Sequence, residues 1–262
     1  MRWIPSLLGA CLAAWPAAAL DLAEVQQRGT LKVLAVVIAE EPQFLSQAPG
    51  TPPGFDHEML EGFARLHKLK VEIVSMPSYD ALIPALLKGR GDVIAGGFTA
   101  TDTRKKQIAF SEEAFPTRNV AYNRKPAKPL SSVDGLKSEK VGTYKGTSMA
   151  EDLAAAGISS VDETIELGGF PGALKAGRIS AAVDGIEAAL VARLKDPDLQ
   201  IGPFIGKPGS LAYGVRKEDE KLLLALNGYV SNLRRTQTWS RLVVKYFGDS
   251  APEILKKARE AR

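Results

Sequence analysis

Gly96-Gly97-Phe98-Thr99-Ala100-Thr101-Asp102-Thr103-Arg104 follows a short apolar run, Asp92 to Ala95, that is bounded by glycines. Such a run is typical of a buried parallel strand. Thr101 is the expected N-cap of a helix, which leaves uncommitted backbone N–H groups at the end of the strand. Arg104 falls in the first helical turn, where its planar guanidinium can clamp an anion. The stretch therefore predicts a small-carboxylate site, the alternative being a surface arginine paired with a neighbouring acid.

The sequence before this stretch alternates strands with helices. Leu31 to Ile38 and Val71 to Val74 are β-branched apolar runs that predict strands. Phe55 to Leu69 has apolar residues at helical spacing, and Asp80 to Lys88 predicts a short helix that Asp80 caps. Strands that alternate with helices favour a parallel, doubly wound α/β sheet.

The same pattern restarts later in the chain. Lys140 to Tyr144 and Ser180 to Val183 predict strands, each followed by a helix. Ser148 and Glu151 have the spacing of a capping box that opens the first of these helices. A strand at Leu211 to Arg216 and two amphipathic helices complete the chain. Ligands of open α/β sheets bind at the carboxyl ends of the strands, so the pattern predicts a cleft between two α/β lobes.

The N-terminus has the features of a secretory signal peptide. Met1-Arg2 precedes an apolar stretch, and Ala17-Ala18-Ala19 forms a cleavage motif. The only cysteine, Cys11, lies inside this leader, in a stretch similar to a lipoprotein processing box. We expect cleavage near Ala19, which makes the mature protein periplasmic and removes Cys11 instead of lipidating it. The mature chain then has no disulfide and no thiolate metal site.

The composition favours an ordinary globular protein that binds neither nucleic acid nor metal. Hydrophobic residues make up 45% and charged residues 24% of the chain, and the net charge of +4 is spread along it. A basic run from Lys256 to Arg262 is typical of a solvated helix face. His57 and His67 are the two histidines, and their spacing on one helix does not suit a shared metal. We expect no cofactor.

Six stretches, in the same order along the chain, resemble the bacterial extracellular solute-binding proteins of the polar amino-acid type, which supply ABC importers. They are Gly54-Phe55-Asp56, SYDALIPALLKGRGDVIAGG (78–97), TATDTRKKQIAFSEEAF (99–115), VGTYKGTS (141–148), LKAGRISAAVD (174–184) and the ending LNGYV to WSRLVVKYFG (226–248).

This resemblance implies the two-lobed α/β fold of type II periplasmic binding proteins, each lobe a mainly parallel sheet flanked by helices. Two crossing strands, near Phe115 to Ala121 and Pro203 to Ala212, would form the hinge. After the signal peptide (1–19), residues 20–116 and 207–262 would form lobe 1 and residues 117–206 lobe 2. The implied function is capture of a small amino acid or related carboxylate by a monomer, for delivery to an ABC permease in the inner membrane.

The resemblance also implies eight ligand-binding residues. Arg104 would grip the ligand α-carboxylate, and Asp184 would receive the α-ammonium. The others are Thr99 beside the arginine, Thr147 and Ser148 in the second-lobe loop, Gly97 through its backbone, and Tyr79 and Phe44 as aromatic walls. The chemistry agrees, because a zwitterion taken out of water needs charged partners at both ends.

Some positions have alternative interpretations. Asp184 comes one residue earlier after Gly177-Arg178 than is usual in the family, and a shift of one residue in a strand turns a side chain to the other face. Asp184 could instead cap the helix at Ile186. Core packing is the alternative role for Tyr79 and Phe44.

Two other function classes stay open at this point. A periplasmic enzyme of the same scaffold, similar to cyclohexadienyl or arogenate dehydratases, would need an acid or base over its substrate, and Asp184 and Glu113 are the nearest candidates. A sensor would report its ligand to a membrane partner in trans. The binding-protein interpretation, which we adopt, expects no catalytic residue.

Overall fold

The computed structural model describes residues 21–39 and 41–260. The predicted signal peptide and Cys11 lie outside the described residues. The described chain forms two five-stranded sheets, each flanked by helices. Within these ranges no helix combines the length and apolar character needed to cross a membrane.

The first sheet is built from both ends of the chain. Its strands are β1 (Thr30–Ala35), β2 (Lys70–Ser75), β3 (Val93–Ile94), β4 (Ala109–Phe110) and β10 (Gly214–Val215). They lie in the order β2-β1-β3-β10-β4, with β2, β1 and β3 parallel and β10 antiparallel to both neighbours. The accompanying helices are α1 (Leu22–Arg28), α2 (Phe55–Leu66), α3 (Leu82–Leu87), α4 (Asp102–Lys105), α8 (Glu220–Arg234) and α9 (Gln237–Phe247).

The second sheet uses the middle of the chain. Its strands are β5 (Phe115–Arg124), β6 (Val141–Gly142), β7 (Val161–Asp162), β8 (Ala181–Gly185) and β9 (Leu199–Leu211). They lie in the order β7-β6-β8-β5-β9, with the first three parallel and β5 antiparallel to β8 and β9. The helices are α5 (Ser148–Ala155), α6 (Phe170–Lys175) and α7 (Ile186–Lys195), and the last helix is α10 (Ala251–Arg259).

The two-lobed α/β architecture is confirmed, and both sheets are mixed. Each contains three parallel strands and two strands in antiparallel pairings. The antiparallel component of the second sheet arises because β5 and β9 run side by side in opposite directions, from Phe115 opposite Leu211 to Arg124 opposite Leu199. Both segments expected to cross between the lobes lie largely in these strands, while the domain boundaries at 116/117 and 206/207 stay a prediction.

Two local expectations differ from the structure. The helix expected at Asp80 begins as a 3-10 turn over Tyr79–Ala81, and α3 starts at Leu82. Asp80 does not cap it, because its carboxylate accepts a hydrogen bond from the Ser78 hydroxyl instead. The strand expected at Leu211 to Arg216 is divided, since Leu211 ends β9 and only the short β10 follows.

Candidate functional site

A cavity lies between the strand ends of the two lobes, and its volume is ≈ 60 Å³. All eight residues that the sequence predicts for the ligand line this one cavity: Phe44, Tyr79, Gly97, Thr99, Arg104, Thr147, Ser148 and Asp184. Their role in binding a ligand stays a prediction.

Arg104 is a fixed cation in the wall of the cavity. Thr101 caps α4 as expected, because its hydroxyl oxygen accepts a hydrogen bond from the Arg104 N–H at 3.3 Å. The guanidinium is buried, lies 4.0 Å from the ring centre of Phe98, and donates to the carbonyl oxygens of Thr99 (2.8 Å) and Gly146 (3.0 Å). Burial lowers the pKa of Arg104 to about 10, so the side chain is still charged at neutral pH. Its burial excludes the alternative of a surface ion pair.

The backbone of the glycine loop is already committed to a buried acid. One carboxylate oxygen of Asp56 accepts hydrogen bonds from the N–H groups of both Gly96 and Gly97, each at 2.9 Å. The other oxygen accepts from the Tyr213 hydroxyl at 3.1 Å. The N–H groups of Gly96 and Gly97 are therefore not available to a ligand carboxylate, and a backbone contact of Gly97 with the ligand stays a prediction. Gly97 lines the cavity, but its N–H holds the loop in place.

The loop before α5 supplies hydroxyl groups from the second lobe. Thr147, and not Ser148, is the N-cap of α5: its hydroxyl accepts from the Ala150 N–H at 3.4 Å and donates to the Tyr144 carbonyl at 2.6 Å. The predicted capping box does not form, because the N3 residue after Thr147 is Ala150 and not Glu151. Ser148 is freed from the cap, and its hydroxyl lies 3.3 Å from that of Thr99 in the other lobe. The two lobes therefore meet through hydroxyl groups beside Arg104.

Asp184 lies opposite the arginine as a buried acid. Only 6% of the residue is exposed, and its carboxylate accepts the Gly185 N–H at 2.8 Å. The N-cap of α7 is Gly185, without a side-chain cap, so the capping role considered for Asp184 does not apply. Burial, followed by the charges of Glu41 and Glu187, raises the pKa of Asp184 well above its usual range. A ligand cation at this position would relieve that cost.

Glu187 is a cavity residue that the sequence analysis missed. It lies in the first turn of α7, 5% exposed, and its carboxylate accepts a hydrogen bond from the Thr117 hydroxyl at 2.7 Å. Burial raises the pKa of Glu187 to about 7. An acid among the apolar residues of a buried helix, three positions after Asp184, was the signal available in the sequence.

Phe44 and Tyr79 line the cavity and also pack against the core, while their contact with a ligand stays a prediction. Phe44 lines the cavity and also packs edge-on against Phe115 (5.7 Å between ring centres) and Phe247 (5.3 Å) in the core. Tyr79 is partly buried and lines the cavity, and burial raises the pKa of its hydroxyl, which stays neutral. Both residues therefore join the cavity wall to the packing beneath it.

Other candidate groups do not lie in the cavity. The Glu113 carboxylate accepts from the Ser210 hydroxyl at 2.7 Å and pairs with Arg234 at 2.8 Å, outside the cavity lining. His57 pairs with Glu61 on α2 at 3.5 Å. Across residues 21–39 and 41–260, no group of histidine, cysteine or acidic side chains has the arrangement of a metal site.

The chain is similar in sequence to a periplasmic amino-acid-binding protein and to a lytic transglycosylase. The lysine/arginine/ornithine-binding periplasmic protein of Escherichia coli K12 is 29% identical over 76% of this chain and 81% of its own length. The membrane-bound lytic murein transglycosylase F of Desulfosudis oleivorans is 26% identical over 87% of this chain, which spans 50% of the length of that relative.

Solved structures show the same architecture. The P235GK mutant of ArgBP from T. maritima superposes with a TM-score of 0.79 and 29% identity, over 87% of this chain and 99% of that one. The ancestral amino acid-binding protein AncCDT-1, described as a precursor of cyclohexadienyl dehydratase, gives a TM-score of 0.76 at 25% identity, over 86% and 99%.

The family profile of the bacterial extracellular solute-binding proteins, family 3, matches residues 33–249. This range includes both sheets except the first three residues of β1, and all eight of the predicted ligand residues. The chain therefore belongs to the bacterial extracellular solute-binding proteins of family 3.

Proposed function

We propose that the protein reversibly captures an α-amino acid between its lobes and does not turn it over. The observation that carries this proposal is the buried guanidinium of Arg104, which shares one cavity with the buried acid Asp184. The guanidinium would pair with the ligand carboxylate, and Asp184 would pair with the ammonium. The hydroxyls of Thr99 and Ser148 would complete the carboxylate site, since charged groups leave water only when such partners replace it.

The charge balance of the cavity favours a cationic amino acid. Among the described residues that line the cavity, Arg104 is the only basic side chain, and it shares the cavity with the buried acids Asp184 and Glu187. A ligand that brings one carboxylate and two cationic groups would compensate these charges better than a neutral or acidic amino acid would. The names of the relatives that bind lysine, arginine and ornithine support the same choice.

We further propose that the protein works as a monomer in the periplasm and delivers its ligand to an ABC permease in the inner membrane. The family and the periplasmic relatives support this location and partner. The predicted signal peptide at residues 1–19 would direct export.

A thermal-shift screen tests the amino-acid proposal. The panel contains amino acids with cationic, neutral and acidic side chains, together with their keto-acid analogues and simple amines. A ligand at about 100 times its Kd stabilises the folded protein by ~2.7 kcal/mol. We expect stabilisation by cationic amino acids, and equal stabilisation by the keto-acid analogues would contradict the proposal.

Asp184→Asn tests binding of the ligand ammonium separately from binding of the ligand carboxylate. The variant should weaken binding of amino acids more than binding of the same molecules without the amino group, because it removes only the partner of the ammonium. Isothermal titration calorimetry measures both losses. Equal losses for the two sets of ligands would reject the assignment of Asp184.

The Glu187 carboxyl favours a second candidate function, acid-catalysed loss of water and CO2 from a cyclohexadienyl carboxylate, in which the electrons of the broken C–CO2 bond complete the aromatic ring. A buried carboxyl whose pKa is about 7 can donate a proton to a leaving hydroxyl at neutral pH. The comparison with a dehydratase precursor supports testing this chemistry. Purified protein is incubated with prephenate-like acids, and product formation that Glu187→Gln abolishes would establish the enzyme and displace the proposal of capture alone.

A further inference from the structure

A second cavity lies directly behind the acids of the first one. Its volume is ≈ 380 Å³, and it shares Glu41, Gln43, Asp184 and Ala188 with the first cavity. The first cavity, at ≈ 60 Å³, is well below the roughly 300 to 1,000 Å³ that is usual for small-molecule sites. A ligand that is larger than a head group therefore needs space beyond the first cavity. The second cavity is within the usual size range of small-molecule sites.

The walls of the second cavity suit a long and mostly apolar chain. Beyond the shared residues, its lining is mainly apolar, with charged groups only at Lys195 and Asp196. The complete additional lining is Tyr122, Gly168, Pro171, Val191, Ala192, Lys195 and Asp196. Asp196 is paired with Arg124 at 3.0 Å, so its charge is already compensated.

Gln43 lies at the junction of the two cavities, and its side-chain oxygen is available as a hydrogen-bond acceptor. The residue is only 4% exposed and lines both cavities. Its side-chain oxygen Oε1 is buried and has no hydrogen-bond partner within residues 21–39 and 41–260. An unpaired buried carbonyl costs free energy that a donor on a ligand would recover. With Glu41 and Asp184 beside it, the junction presents acceptors to anything that passes through.

We propose that the second cavity is a distal subsite for the side chain of the ligand, and that Gln43 selects a long side chain bearing a hydrogen-bond donor. The ligand class is an α-amino acid whose side chain passes Asp184 and Gln43 and extends along α7. This inference rests on the proposed capture of an amino acid, because it needs the head group at Arg104.

Calorimetry on a ligand series tests the subsite. Alanine, norleucine, lysine and arginine share one head group and differ in side-chain length and in the terminal donor. We expect lysine and arginine to bind at least about tenfold more tightly than alanine, and also more tightly than norleucine, which has no donor. Equal affinities of the protein for alanine and for the long ligands would overturn the subsite.

Ala192→Phe places a large side chain in the second cavity and replaces no residue that lines the first cavity. Leu194→Phe is the matched control on the same helix, because Leu194 is 61% exposed. We expect Ala192→Phe to weaken lysine and arginine by about tenfold and alanine by less than about threefold. The control should change neither. A loss for alanine equal to that for the long ligands, or no loss at all, would overturn the proposal.

Gln43→Met removes the side-chain acceptor and keeps a side chain of similar volume. This second variant tests the proposal even if Ala192→Phe does not fold. We expect it to abolish the preference for lysine over norleucine, and a preserved preference would overturn the role of Gln43. If none of the amino acids binds the unaltered protein, the proposed function itself fails. Binding without discrimination by length leaves that function intact and rejects only the subsite.

Discussion

Arg104 links the anion site to the contact between the lobes. Its guanidinium donates to Thr99 in the first lobe and to Gly146 in the second, so the same group that would hold a carboxylate also joins the two loops. A guanidinium carries five N–H groups, which leaves donors for a ligand after these two bonds. Binding and closure are therefore expected to depend on one side chain.

Replacing Arg104 should cost more affinity than any other single change in the cavity. Arg104→Ala is expected to weaken binding by ~2 to 5 kcal/mol, because it leaves a desolvated ligand carboxylate without its partner. Arg104→Lys keeps the charge but lacks the planar fork, and it should recover only part of the loss. Titration calorimetry measures both variants, and an affinity change below about threefold in Arg104→Ala would remove this residue from the site.

The Glu187 carboxyl should make stability depend on pH. Its pKa of about 7 in the folded protein exceeds the ordinary value of 4.5, so the folded state binds more protons between these values. The contribution of this group is then fully present below pH 4.5 and is lost as the pH rises through about 7. The shift corresponds to a loss of ~3 kcal/mol in the free energy of unfolding.

Glu187→Gln should remove this dependence while keeping an acceptor for Thr117. Urea unfolding between pH 4 and 8 measures the difference in free energy of unfolding between variant and unaltered protein, and this difference should grow in favour of the variant by ~3 kcal/mol as the pH rises. Glu72→Gln, at an exposed position of β2, serves as the control. A difference that stays constant with pH would show that Glu187 is not the responsible group.

At the scale of elements, the loop after β3 depends on α2. Gly96 and Gly97 have φ angles of +88° and +72°, which glycine adopts readily, and the Asp56 carboxylate fixes both of their N–H groups. Asp56 belongs to the Gly54-Phe55-Asp56 motif that opens α2. Through this contact Asp56, which does not line the cavity, positions the loop that contains Thr99 and precedes Arg104.

Asp56→Ala should damage both stability and binding although it replaces no residue of the cavity lining. It leaves two buried N–H groups and the Tyr213 hydroxyl without a partner, which is expected to cost ~3 kcal/mol or more. Tyr213→Phe removes only one of the three hydrogen bonds and should cost about 1 kcal/mol. Denaturant unfolding and calorimetry compare the two variants. Unchanged ligand affinity in Asp56→Ala would mean that the loop keeps its shape without this anchor.

Sequence patterns predicted the parts of the site that residues close together in the chain form. Thr101 caps α4 and Arg104 follows within the same turn, so a short stretch of sequence contained the whole arrangement. The contacts of Asp56 with Gly96 and of Glu187 with Thr117 join residues 40 and 70 positions apart. Such pairs depend on how strands and helices pack, and no spacing in one sequence reveals them. The displaced cap at Thr147 shows the same limit within a single turn, where two adjacent hydroxyl residues compete for one role.

The antiparallel strands in the two sheets could not be predicted from the sequence for a related reason. Alternating strands and helices indicate parallel neighbours, but β10 enters the first sheet after the chain has returned along β9. Its direction is set by that return and not by its own residues. The segments that cross between the lobes were predicted from the resemblance to the family, because the periodicity of the sequence did not indicate them.

At the scale of the whole molecule, the last helix ties the lobes together. Helix α10 follows the helices of the first lobe in sequence but packs against β5 and α7, with Ile254 and Ala258 fully or almost fully buried. Glu253 on this helix pairs with Arg193 on α7 at 3.0 Å. Helix α10 thus covers β5 and β9 on one side, and we expect lobe movement at the opposite side, where the cavity lies.

Gly146 allows the lobes to approach each other at that opposite side. A Cβ at this position would lie 2.7 Å from the Asp80 Cβ and 2.9 Å from its backbone nitrogen, and Asp80 belongs to the other lobe. The φ angle of Gly146 is +72°. Gly157 has a nearly identical φ of +71° but would place a Cβ in open space. The two glycines therefore form a matched pair that differs only in the contact between lobes.

Gly146→Ala should hinder closure, whereas Gly157→Ala should not. Both variants are expected to lose about 1 kcal/mol of stability from backbone strain. Only Gly146→Ala should weaken the amino-acid ligand, by about tenfold or more, because its methyl group keeps the lobes apart. Calorimetry gives the affinities, and small-angle scattering should show that ligand compacts the Gly157→Ala protein more than the Gly146→Ala protein. Equal affinity and equal compaction in the two variants would show that the contact between Gly146 and Asp80 does not limit closure.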